Sequence, residues 1–89
     1  MMDFKAYEHT CIDEGGTRYT FQYHLLRDVV QQDGTSFPDY GIAVHSSQGE
    51  TVRIPHISPD RQRVLELLTL LCEQGVSPIH LQNVIEDWL

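Results

Sequence analysis

Histidines are the side chains of this sequence best suited to proton transfer or ligand binding, and three of the five are predicted on one sheet face. This face, the open face, lies opposite the predicted aromatic core. In the predicted registers it carries no Asp or Glu, so we expect it to attract an anionic ligand or the acidic surface of a protein partner. The simpler alternative is a solvated face whose basic side chains discourage aggregation. Its predicted members are Lys5, Tyr7, His9, Cys11, Arg18, Gln22, His24, His45 and Arg53.

Zinc is one ligand that such side chains accept, since His9, Cys11 and His24 supply suitable donor atoms. Side chains on adjacent strands do not easily surround a tetrahedral ion, and no fourth ligand is evident. We therefore expect no metal and no cofactor.

A second group with chemical potential lies near the C-terminus, where His80, Asn83 and Asp87 share one side of a predicted helix. A His-Asp pair can orient a general base, but catalysis also needs a nucleophile or an activated water in a cleft. Ser77 is nearby, yet its position predicts a helix cap. We expect a polar outer stripe here rather than an enzyme active site.

Composition restricts the classes of partner. The 89 residues include 13 acidic residues against 6 Lys and Arg, which gives a net charge of -7 and disfavours nucleic acid and anionic membranes.

The N-terminal residues lack the apolar run of a signal peptide, and no 18 consecutive residues are apolar. Cys11 and Cys72 are widely spaced, which favours two free thiols in a reducing compartment. We expect a cytoplasmic protein.

The first hairpin is predicted from alternating residues on both sides of a glycine pair. With Gly15-Gly16 as a two-residue turn, paired residue numbers sum to 31, so that Ile12 faces Tyr19 and Thr10 faces Phe21. This register turns the aromatic residues inward, but it also places Glu8 on the core face.

The second hairpin is predicted around the loop 47–49, which ends in a glycine suited to a bulge. Residue numbers then sum to 96, which gives the pairs Val44–Val52, Ile42–Ile54 and Tyr40–His56. The polar, Pro-containing segment from Gln31 to Asp39 predicts a loop between the hairpins.

Two helices are predicted to follow, each opened by a Ser-Pro pair at Ser58-Pro59 and Ser77-Pro78. Gly75 is predicted to end the first helix. Leu70 extends this helix's apolar arc, and either the second helix or a second subunit is expected to cover it. The apolar face of the first helix consists of Val64, Leu67, Leu68 and Leu71.

These elements predict one α+β domain spanning residues 1–89. Residues 1–57 form two hairpins of a four-stranded antiparallel sheet, and residues 58–89 form a helical hairpin on one face. A short two-helix unit cannot be stable alone in water, so the sheet must supply its apolar support.

Tyr40-Gly41-Ile42 and the closing segments 77–81 and 84–89 resemble a family of small uncharacterised bacterial proteins of about this length. The resemblance implies a free-standing cytoplasmic protein and carries no activity with it. Together with the composition, it favours a non-enzymatic module that binds another protein or itself. Binding of a small anion by the open face is the alternative, and an enzyme that uses His80 is a third.

Overall fold

Four antiparallel strands form one open sheet in the computed structural model, which describes residues 1–89. The sheet order is the chain order, and two helical segments pack on one face, which confirms the α+β class. No helix has both the length and the apolar character needed to cross a membrane. The elements are β1 (Met2–Ile12), β2 (Arg18–Gln32), β3 (Thr35–Ser46), β4 (Thr51–Ser58), α1 (Arg61–Gln74), a 3-10 turn (Pro78–His80) and α2 (Leu81–Trp88).

The core lies between the sheet and the helices, as the periodicity of both predicts. Leu68 and Tyr23 are completely buried, so the predicted helix face and the inward aromatic face are confirmed. Trp88 is half-buried and packs against the core. The buried cluster consists of Phe21, Tyr23, Leu25, Tyr40, Ile42, Val44, Val64, Leu67, Leu68, Leu71, Val76, Leu81 and Ile85.

Helix α1 begins two residues later than the Ser58-Pro59 pair predicts, so the cap predicted at Ser58 is wrong. Its cap is Asp60, whose side chain accepts hydrogen bonds from the backbone N–H groups of Gln62 and Arg63. A carboxylate at this position also interacts favourably with the helix dipole. At the other end, Gly75 adopts the left-handed conformation and terminates the helix as predicted.

The β1–β2 hairpin has a different turn from the predicted one. Asp13 N donates to Thr17 O at 2.9 Å and Gly16 N donates to Asp13 O at 3.0 Å, which makes a three-residue loop. Cys11 therefore pairs with Tyr19, and the predicted register is wrong by one residue. Because side chains alternate between faces, this single step reverses the face of every neighbouring β1 residue.

The reversal places Tyr7, His9 and Cys11 on the helix-covered face and Glu8 on the open face, so the predicted burial conflict of Glu8 disappears. A bulge at Ala6 then shifts the register once more. Beyond it, Phe4 pairs with Leu25 on the core face and Lys5 with His24 on the open face.

The predicted loop from Gln31 to Asp39 is instead a continuous hairpin. Asp33 and Gly34 both have positive φ, 52° and 77°, as a type I′ turn requires. This turn matches the twist of the strands and pairs Gln32 with Thr35. The resulting ribbon extends past the last pairs of β1 and β4, which accounts for the 55 Å length of the molecule.

The β3–β4 hairpin follows the predicted register near its turn. The pairs Val44–Val52 and Ile42–Ile54 are confirmed, and the loop 47–49 closes them. Ser46 N donates to Glu50 O at 2.7 Å, the same arrangement that closes the first hairpin.

Farther from this turn, Tyr40 pairs with Ser58 rather than with the predicted His56. A bulge in β4 causes the difference, and His56 adopts a φ of 60° within it. The bulge brings β4 backbone against Gly41, where a Cβ atom would lie 2.5 Å from Pro55 Cα. Only a residue without a side chain fits there.

Candidate functional site

The open face of the folded sheet carries fewer of the predicted residues and more charge of both signs. Tyr7, His9 and Cys11 lie on the opposite face because of the β1 register. Asp3 and Glu8 join the open face, so the prediction that it lacks carboxylates is wrong. The predicted members that the register keeps on it are Lys5, Arg18, Gln22, His24, His45 and Arg53.

Carboxylates neutralise most of the cations there. Lys5 Nζ lies 3.2 Å from Glu8 Oε1, and Arg53 lies 3.5 Å from Asp3 Oδ2. Asp3 also accepts a 2.5 Å hydrogen bond from His24 Nδ1. Because these pairs cancel charge locally, the structure weakens the case for an anion site on this face.

Two histidines form the most ordered part of the open face. The ring centroids of His24 on β2 and His45 on β3 are 4.4 Å apart, with an interplanar angle of 64°. His45 Nδ1 and Thr51 Oγ1 share a hydrogen bond of 3.1 Å. Burial, together with the nearby His24, lowers the pKa of His45, so His45 is neutral at pH 7.

The side chains transferred to the core face have structural contacts. Tyr7 OH accepts a 3.2 Å hydrogen bond from Thr69 Oγ1, and Cys11 packs against the core. A Cβ on Gly75 would lie 2.8 Å from His9 Nε2, so the His9 ring abuts the end of α1. Leu70, the predicted oligomer contact, is half-buried and packs against the core.

The His80 group does not assemble into a catalytic arrangement. His80, Asn83 and Asp87 are exposed, and no hydrogen bond or ion pair joins His80 to Asp87. Ser77 makes no side-chain capping hydrogen bond, and Pro78 begins a 3-10 turn ahead of α2. The role predicted for Ser77 as a side-chain cap is therefore wrong.

A cleft that the sequence pattern does not predict lies beside the N-terminal half of β1, on the core side of the sheet. Its volume is about 360 Å³, and it combines aromatic and aliphatic walls with basic residues. Neither Arg27 nor Arg61 has a carboxylate within ion-pairing distance. The lining residues are Phe4, Lys5, Ala6, Leu25, Arg27, Tyr40 and Arg61.

The cleft could not be found from local spacing because its walls come from three strands and the start of α1. Phe4 reaches it only because the Ala6 bulge returns Phe4 to the core face. The side chain of Phe4 is 44% exposed because it forms a wall of an open cleft.

Comparison with known proteins gives a family but no activity. No curated protein matches the chain, and no solved structure matches it. The model of one family covers nearly the whole length, from the first residue of β1 to the terminal leucine. The chain belongs to a family of unknown function, DUF6514, whose model matches residues 2–89.

Proposed function

We propose that the protein is a non-enzymatic binding protein whose cleft takes a small organic anion with an apolar body. The observation that carries this proposal is the composition of the cleft. Two arginines of a chain with net charge -7 line it without a carboxylate partner, and none of its lining residues is acidic. A local basic site in an acidic protein selects an anion.

The two arginines supply the anion contacts. Arg27 is half-buried on β2 and Arg61 begins α1, and neither is neutralised by a carboxylate. Guanidinium groups bind carboxylate or phosphate through two parallel hydrogen bonds. Lys5 contributes less, because its ammonium group already pairs with Glu8.

The apolar walls supply the rest of the recognition. Phe4, Leu25 and Tyr40 line the same cleft, and its volume of about 360 Å³ lies within the range of small-molecule sites. Aromatic walls favour a flat ligand body. An aryl carboxylate or an aromatic phosphate monoester combines both features.

The test is isothermal titration calorimetry with naphthoate and adenosine monophosphate, each compared with its uncharged analogue, naphthalenemethanol or adenosine. We expect saturable binding of at least one anion and weaker binding of its neutral analogue. Arg27→Gln and Arg61→Gln should each weaken binding about tenfold or more. Arg18→Gln is the matched control, since Arg18 is an exposed arginine outside the cleft. Equal binding of charged and neutral ligands, or an equal loss in Arg18→Gln, would contradict the proposal.

Binding of a protein partner or of a second copy is the other candidate, and strand β1 favours it. This 11-residue edge strand exposes Met2 and Ile12 at 52% and 62%. A long edge with unpaired backbone groups and apolar side chains is a template for strand addition. Light scattering over a concentration series should then show a dimer that Ile12→Lys disrupts. Ile79→Lys, at an isoleucine that is 69% exposed on the helical side, should leave the dimer intact.

The proposed setting is the reducing cytoplasm of a bacterium, without nucleic-acid or membrane partners. Cys11 and Cys72 are free thiols, and the net charge of -7 opposes binding to anionic polymers and surfaces. Proteomic fractionation of the native host tests the compartment.

A further inference from the structure

Two buried ring nitrogens on the open face lack any hydrogen-bond partner. They are Nε2 of His24 and Nε2 of His45, whose rings touch at 4.4 Å between centroids. Buried polar atoms in folded proteins are almost always hydrogen-bonded, and an exception indicates a missing ion, water or ligand. Here two exceptions occur in one cluster.

The other ring nitrogen of each histidine, Nδ1, already has a hydrogen-bond partner. His24 Nδ1 donates to Asp3 Oδ1 at 2.5 Å, and His45 Nδ1 lies 3.1 Å from Thr51 Oγ1. In the neutral tautomer that donates from Nδ1, the Nε2 atom of a histidine carries a free lone pair. Histidines that bind metals are oriented in this way, by a carboxylate or another oxygen on the nitrogen that does not bind the ion.

We infer that His24 and His45 bind a divalent transition-metal ion such as Zn²⁺ through their Nε2 atoms, with Asp3 as the carboxylate that orients His24 from the other side of its ring. One metal-ligating atom from each of the three residues lies within 4.8 Å of the other two, so the negative charge of Asp3 is close enough to favour a cation. Imidazole nitrogen suits Zn²⁺, which binds it at about 2.0–2.1 Å, so small side-chain rotations must bring the two Nε2 atoms together around an ion. The outer side of the ion is left to water or to an exogenous ligand.

The surroundings modify this site in two ways. Leu26 and Ala43 lie on the same face by register and are buried, which gives the histidines an apolar base that limits their motion. The guanidinium group of Arg53 lies 3.5 Å from Asp3. It repels a metal ion at this site and competes with that ion for the negative charge of the Asp3 carboxylate. Removal of this guanidinium should therefore tighten metal binding.

This site differs from a zinc site built on His9 and Cys11, which lie on the opposite face of the sheet. Its ligands contain no sulfur. Cobalt substituted into it should show weak visible absorption without a thiolate charge-transfer band, because neither thiol is a ligand.

The test is calorimetric titration of Zn²⁺ into untagged, chelator-treated protein. We expect one equivalent to bind. Thr51→Val should weaken binding by about 10- to 100-fold through loss of the hydrogen bond that orients His45. His45→Gln should weaken it at least as much, and Arg53→Gln should strengthen it. Thr10→Val is the matched control, since it removes another hydroxyl contact, with Thr20, from the exposed surface.

Absence of saturable Zn²⁺ binding would overturn the inference. So would unchanged affinity in His45→Gln, a loss in Cys11→Ser or Thr10→Val, or a thiolate band with cobalt. If His45→Gln does not fold, nitrogen-15 spectra of the parent protein provide the second measurement. Added Zn²⁺ should then shift the Nε2 signals of His24 and His45 and leave those of His80 unchanged, and the reverse pattern would refute the site.

Discussion

The hydroxyl of Tyr23, in the centre of the sheet, donates a 2.8 Å hydrogen bond to the backbone carbonyl of Val76, between the two helices. Tyr23 is completely buried, and this burial raises its pKa, so the hydroxyl stays protonated and able to donate. The bond joins residues 53 positions apart and fixes the turn between the helices against the strand below.

Tyr23→Phe should therefore destabilise the protein by about 1–3 kcal/mol, because the buried carbonyl of Val76 loses its contact without gaining water. Tyr7→Phe is the control: its exposed hydroxyl also contacts a helix, through Thr69, but water can replace that contact. Its cost should stay within about 0.5 kcal/mol. Urea denaturation measures the free energy of unfolding of both variants. Equal losses of stability would show that the buried hydrogen bond contributes no more than the exposed one.

Leu68→Ala should cost about 2–5 kcal/mol, since Leu68 is fully buried in the core and its truncation leaves a cavity. For a domain of this size the melting temperature should fall by at least about 8 °C. Leu89→Ala, at a terminal leucine that is 69% exposed, serves as the comparison and should be nearly silent. A melting temperature of Leu68→Ala within about 2 °C of the parent would contradict the assigned helix face.

Gly41→Ala should disrupt the pairing of β3 with β4. An added Cβ would lie 2.3 Å from the Ile54 carbonyl oxygen, and backbone atoms cannot move aside without breaking the ladder. Overpacking of this kind costs about 1–3 kcal/mol. At Gly15 the nearest atom to an added Cβ is at 3.4 Å, so Gly15→Ala should be tolerated. Denaturation curves that coincide for the two variants would argue against the close approach.

Cys11→Ser should destabilise the protein as Cys72→Ser does, because the β1 register places Cys11 on the core face. Both cysteines are half-buried and pack against the core, where a hydroxyl is less favourable than a thiol. We expect each serine variant to lose about 0.5–1 kcal/mol. Alanine at either position provides the control without a hydroxyl. A silent Cys11→Ser would indicate that the β1 register places Cys11 in solvent after all.

The helices and the second hairpin could be predicted because each depends on local information. The leucines of α1 repeat at the helical period, and Gly49 ends its loop where a left-handed residue is required. Gly16 occupies the same place in the first loop, with a φ of 83°, so both hairpins use one turn type. Reading Gly15-Gly16 as a two-residue turn therefore produced the register error.

The candidate sites could not be predicted in the same way. Asp3, His24 and His45 come from three strands, and they meet only if the register of each strand is correct. Bulges in edge strands leave no clear pattern in a single sequence, because one added residue changes the face without changing the composition. The Arg27–Arg61 pair of the cleft joins a strand to a helix that begins 34 positions later, and such contacts depend on tertiary packing.

The bulge at Ala6 also determines which kinds of sequence change the N-terminal strand can accept in evolution. Many side chains should be tolerated at this exposed position. Deletion of Ala6 should be accepted as well, because Tyr7 and Lys5 would then be adjacent, and regular alternation would keep Asp3 on the open face and Phe4 on the core face. Loss of a second residue from this strand is a different kind of change, because it would move Asp3 away from the histidines and Phe4 out of the cleft together. Among homologous sequences, we therefore expect variation in residue type at the bulge and a length difference of at most one residue between the acidic position and the loop.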